Sequence, residues 1–171
     1  MIEGVKKAVL FLILLLIQIL LIDQIDLGSF NYYFSPIIYG LIIIIIHPGF
    51  DFRYLLIAAF IMGLSVDIFR NTLGLNISSL VAVAYFRKYI LSIISPRDGF
   101  ELNKDLNIIS IGLSRFLIYA SIMLMIHHFW FYLLEDFHFN QLHIVFIRSL
   151  FNTCIALAFI VLFQYLTLRK K

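Results

Sequence analysis

The chain has one cysteine, Cys154, set in an apolar run, where it reads as a small buried hydrophobe. One cysteine allows neither an internal disulfide framework nor a cysteine-ligated metal site. No low-complexity linker and no fixed-period repeat divides the 171 residues. Charge is scarce: Asp, Glu, Lys and Arg make up 13% of the chain, against about 25% in soluble domains. The sequence has no HExxH, no Walker loop, no GxSxG and no paired carboxylates set in a polar pocket. Nothing in it supports an enzyme, and it implies no cofactor.

What is present is apolar. Hydrophobic residues make up 63% of the chain, and the mean hydropathy is +1.02. A water-soluble core of this size could not hide so many Ile, Leu and Phe side chains. The solvent is therefore lipid, and the chain is an all-α integral membrane protein. The net charge of +3 comes mostly from chain ends and short loops, so it speaks to topology rather than to nucleic acid.

The runs predict one polytopic domain, 1–171, built as a bundle of six transmembrane helices near 8–22, 32–47, 54–69, 75–94, 106–134 and 144–168. The first has a basic start at Lys6 and Lys7, as a signal peptide would. No small-x-small cleavage site follows it, so it reads as a retained span. The second opens near Pro36 and carries Ile42 to Ile46, a run of high β propensity. In lipid a lone strand would leave its backbone unpaired, which favours a helix. Arg87 and Lys88 lie off-centre in the fourth span, within snorkelling reach of one interface.

With both termini inside, the cytoplasmic segments hold Lys6, Lys7, Arg53, Arg97, Lys104, Arg169, Lys170 and Lys171, while the outer loops hold Arg70. The positive-inside rule then predicts an N-in/C-in topology. Five helices would leave a basic terminus outside.

Few residues stand out against this apolar frame. Asp67 ends the third span, where an intramembrane carboxylate costs about 2.5–3.5 kcal/mol on insertion scales. It either pairs inside the protein, with Arg148 or Arg115, or caps the turn through Asn71 and Thr72 and faces water. Arg148 lies nearer its depth and is the preferred partner; the competing reading has Arg148 snorkelling to outer headgroups. Gly63 shares a helix face with Asp67 and would let another helix come close. Gly74 reads as a turn residue. His127, His128, His138 and His143 invite a metal reading, but neighbours on a helix diverge by roughly 100°. With Phe129, Trp130, Phe131 and Tyr132 they read as an aromatic belt at the interface.

From Gly63 to Ser79 the sequence resembles the rod shape-determining MreD family. The match rests on Gly63-Leu64, Asp67, the turn with Arg70, Gly74-Leu75, Asn76 and Ser78-Ser79. Chain length, the basic N terminus and Pro36 agree in layout. The resemblance implies a non-enzymatic scaffold of the bacterial cell-elongation machinery, in the inner membrane. Its implied partners are an MreC-like bitopic protein, MreB filaments, RodA and a penicillin-binding protein. On this reading Gly63, Asp67 and the turn Arg70 to Asn76 grip the partner. The basic inner loops around Arg97 and Lys104 meet lipid or cytoplasmic proteins. The family is also similar to the six-helix substrate-binding subunits of energy-coupling-factor vitamin transporters, which gives the alternative function. That alternative needs a polar pocket between helices, and the short outer loops offer few binding groups.

Overall fold

The computed structural model describes residues 2–26, 28–72, 74–137 and 139–168, and His138 and the basic tail 169–171 lie outside them. The described residues are all-helical, with no strand. Five helices are long and apolar enough to cross a membrane: Gly4–Ile22, Phe52–Arg70, Leu75–Ile94, Leu113–Asp136 and Leu142–Leu168. The first comprises α1 (Ile2–Ile17) and a wider π-type turn, Gln18–Ile22.

The expected helix over 32–47 does not form. In its place stand a 3-10 turn at Gly28–Tyr32, a stretch without regular secondary structure at 34–38, and a single short helix, α2 (Leu41–Ile45). Pro36 lacks an N–H and pushes Ser35 toward extended geometry. The setting matters more. Ile37, Tyr39, Leu41, Ile43 and Ile44 are all buried, so this segment threads the interior of the bundle.

There, side chains from the surrounding helices replace the missing helical ladder. The Ser35 N–H donates to Asn152 Oδ1 at 2.8 Å, and Asn152 Nδ2 donates to the Tyr33 carbonyl at 2.8 Å. Gln18 clamps the chain with both ends of its amide: Nε2 donates to the Pro36 carbonyl, and Oε1 accepts from the Ile38 N–H, each at 3.0 Å. The Ile37 N–H donates to His128 Nε2 at 3.2 Å. That leaves the ring proton on His128 Nδ1, which donates to the Leu124 carbonyl at 2.9 Å. The Tyr132 hydroxyl donates to the Ser35 carbonyl at 3.1 Å. Farther along, the Tyr119 hydroxyl donates to the Ile44 carbonyl at 3.0 Å, the Leu106 N–H to that of Ile45 at 2.8 Å, and Arg87 to that of Ile46. Lipid forces a helix only on backbone that faces lipid; buried in protein, irregular backbone is tolerated.

The other long elements are α3 (Phe52–Arg70), α4 (Leu75–Ile94), α6 (Leu113–Asp136) and α7 (Leu142–Leu168), with the four-residue α5 (Ile108–Ile111) before α6. The expected helix 106–134 is divided at Gly112, whose φ of +80° breaks it between α5 and α6. Asp51 caps α3 by accepting the Arg53 N–H, and the Arg53 side chain, hydrogen-bonded beside it, holds the Asp51 carboxyl below its usual value. α4 is the hub, packed on both α3 and α6, and α6 in turn packs on α7.

At one end of the bundle Lys7 of α1 reaches Asp105 at 2.7 Å, Gln164 of α7 accepts the Ile108 N–H at 3.0 Å, and Phe52 of α3 meets Tyr85 of α4. The opposite end gathers the C terminus of α3, the start of α4, Glu135 and Asp136 at the end of α6 and Arg148 in the second turn of α7.

Two expectations about side chains are corrected. His127 and His128 do not belong to an interfacial belt; they are buried on the α6 face that packs against the threaded segment. Trp130, one of the belt residues, is exposed. Cys154 is exposed on α7 rather than buried, because the apolar face of a helix in lipid points outward.

Candidate functional site

The hairpin between α3 and α4 is built around Asp67, which is 6% exposed. Its backbone carbonyl accepts from the N–H groups of Asn71 and Thr72, closing α3. Its carboxylate opens α4: Oδ1 accepts from the Asn76 N–H at 3.1 Å and Oδ2 from the Ile77 N–H at 3.0 Å. Thr72 Oγ1 at 2.5 Å and Asn76 Nδ2 at 2.9 Å complete the shell. An anion at a helix N terminus meets the orphan amides and the positive end of the macrodipole, so the buried charge is satisfied locally. Asn71 (φ +54°) and Gly74 (φ +82°) take left-handed conformations at the two corners of the turn.

Asp67 is therefore paired with neither Arg148 nor Arg115. Arg115 is exposed near the start of α6. The face shared by Gly63 and Asp67 is also not open to a partner, because α4 covers it. A Cβ on Gly63 would lie 2.5 Å from Ile77 Cα and 2.8 Å from its nitrogen. The small residue does allow a close approach, but by the chain's own next helix. Asn76 is fully buried and accepts from the Tyr39 hydroxyl, tying the hairpin to the threaded segment.

Beside the hairpin opens a cleft of about 530 Å³, in which Arg70 and Arg148 meet Asp23, Glu135 and Asp136. Arg70 Nε lies 3.1 Å from Asp23 Oδ2, and Nη2 donates to Ser35 Oγ at 3.0 Å. Arg148 is 4% exposed; Nη1 donates to Asp136 at 2.7 Å and Nη2 to Glu135 at 2.8 Å. Its guanidinium lies between the rings of Tyr32 and Tyr132, at 3.9 and 4.1 Å from their centroids. A planar, weakly hydrated guanidinium suits such a stack better than a compact, strongly hydrated ammonium does. Arg148 does not snorkel.

Of the residues singled out in the sequence, Gly63, Asp67, Gly74 and Asn76 come together in the hairpin. Arg70 and Arg148 come together in the cleft, and Arg115 joins neither. The sequence reading missed Asp23, Glu135 and Asp136 as cleft residues. It also missed Gln18, His128 and Asn152 as partners of the threaded backbone. The available signal was a polar side chain inside an apolar run, since such a residue needs a partner at membrane depth.

Comparison with protein-family models, with curated proteins and with solved structures finds no match to this chain. The local geometry therefore carries the functional argument.

Proposed function

We propose that the chain is a non-enzymatic scaffold of the bacterial cell-elongation machinery, resident in the inner membrane and binding an MreC-like bitopic partner. The observation that carries this reading is the cleft beside the Asp67 hairpin. It is concave and charged, and it lies next to the Gly63–Ser79 stretch on which the resemblance rests. Its three carboxylates against two guanidiniums leave one net negative charge. That suits a juxtamembrane segment with a basic residue and backbone amides to donate. The grip thus moves from the Gly63/Asp67 face, which α4 occupies, to Glu135, Asp136 and Arg148.

The same reading takes the threaded segment as a sixth crossing. Its irregular, turn and short helical stretches together can reach on the order of 25–30 Å, near the thickness of a bilayer core. Its two ends contact opposite ends of the bundle, at Arg70 and at Leu106. Six crossings put Lys7 and the end of α7 on one side, in keeping with the N-in/C-in charge pattern.

The cleft also favours one alternative, a substrate-binding subunit of an energy-coupling-factor type transporter. A polar pocket walled by irregular backbone is a setting where such proteins bind solutes. Crosslinked affinity purification from native membranes separates the two. Recovery of an MreC-like protein with RodA, MreB and a penicillin-binding protein is expected for the scaffold. A transmembrane coupling subunit with paired ATPases would replace it. Glu135→Gln, at the half-exposed rim, should cut recovery of the partner severalfold. Wild-type recovery from that variant would remove the cleft from the grip.

A further inference from the structure

The opposite end of the bundle holds a second charged feature, which the scaffold reading leaves unused. Arg87 and Lys88, in the second half of α4, line a pocket of about 220 Å³. Pro48, Phe50, Leu55 and Leu91 form much of its wall. Arg87 is 3% exposed, and its guanidinium donates to neutral acceptors, the Tyr119 hydroxyl at 3.0 Å and the Ile46 carbonyl. Lys88 is exposed, with its ammonium 4.7 and 4.9 Å from the ring centroids of Phe52 and Tyr89.

Among the described residues no carboxylate lies within ion-pair distance of either cation. Asp51, Glu101 and Asp105 are engaged with other cations, Arg53, Lys104 and Lys7. A buried cation that lacks a counter-charge is costly, and buried charges are ordinarily paired.

We infer that this pocket binds the phosphate of an anionic phospholipid headgroup, with Arg87 as its buried anchor and Lys88 at its rim. Depth agrees. Lys88 lies six residues before the end of α4, or about 9 Å along the axis, a depth from which a long basic side chain snorkels to the headgroups. The chemistry agrees as well. Two adjacent cations suit a phosphodiester, while the apolar wall beside them suits the start of an acyl chain. Basic pockets between membrane helices take anionic headgroups on these grounds.

Native mass spectrometry of the full chain in detergent, titrated with phosphatidylglycerol or phosphatidylcholine, tests the assignment. The wild-type chain should hold one phosphatidylglycerol tightly and prefer it to phosphatidylcholine. Lys88→Gln, at an exposed position, should weaken that binding about fivefold, the contribution of one cation near a membrane surface. Lys6→Gln, at an exposed position of α1, should leave it unchanged. Arg87→Gln should abolish it, and because that variant also loses the Ile46 contact, Lys88→Gln is the deciding one. Equal affinity for both lipids overturns the site, as does wild-type affinity in Lys88→Gln or an equal loss in Lys6→Gln. If inorganic phosphate displaces phosphatidylglycerol at equal concentration, the ligand is a soluble phosphate and the lipid assignment fails.

Discussion

Asp67 shows how one side chain is assigned its role by its immediate neighbours. Read alone, it is a carboxylate at membrane depth in need of a cation. Four donors within the next ten residues satisfy it instead, and two of them are the first free amides of α4. Replacing it with alanine removes a cap and strands buried donors. The expected loss is about 2–3 kcal/mol, since caps contribute about 0.5–2 and hydrogen bonds to charged groups about 1.5–3. Thermal or denaturant unfolding in micelles measures it, and Asp67→Asn should lose less because its amide oxygen still accepts. An unchanged midpoint in Asp67→Ala would remove the carboxylate from the architecture of the hairpin. The charge was legible in the sequence. The cap through Asn71 and Thr72 was one of its two readings. The amides of Asn76 and Ile77 were not legible, because hydropathy and depth rank a distant arginine above a backbone amide nine residues on.

At the scale of the element, the threaded segment departs most from expectation. Its composition is that of a membrane helix, yet it is held open by Gln18, Asn152, His128, Tyr132 and Tyr119. Each donates to or accepts from its backbone. Gln18→Leu keeps a membrane-compatible side chain but frees the Pro36 carbonyl and the Ile38 N–H. Each such buried group costs about 1–3 kcal/mol when left unpaired. Hydrogen exchange should therefore quicken at Ile37 and Ile38 while the amides in the middle of α4 stay protected. Equal exchange across both regions would mean that the segment is held by packing alone. The wild-type chain has a measurable contrast here, since a regular helix at 32–47 would protect every amide within it.

At the scale of the whole molecule, the contacts at the two ends of the bundle lead to a statement about sidedness. In a Cys154→Ala background, a membrane-impermeant maleimide should label Gln24→Cys from one face of the bilayer and Arg97→Cys from the other. The two positions flank the threaded segment, α3 and α4, three crossings on the six-crossing arrangement, so labelling from the same face would overturn it. Charge in the loops predicts a sidedness that this labelling checks, and the count of crossings depends on a segment that is not a regular helix.

What the sequence determined by itself was the solvent and the long elements. Hydrophobic transfer is close to a sum over residues, so runs of Ile, Leu and Phe declare a lipid setting without knowledge of their neighbours. That reasoning found five apolar helices, four of them to within about four residues, while the fifth starts at Leu113 and not at 106. It also found the turn at Gly74, where a left-handed corner requires a residue without a side chain. Only the tertiary structure decided whether 32–47 would coil, where His127 and His128 point, and which charges Arg70 and Arg148 meet. Those outcomes rest on hydrogen-bond partners that lie up to 119 residues away. A buried backbone group is satisfied by whatever the fold brings within about 3 Å of it.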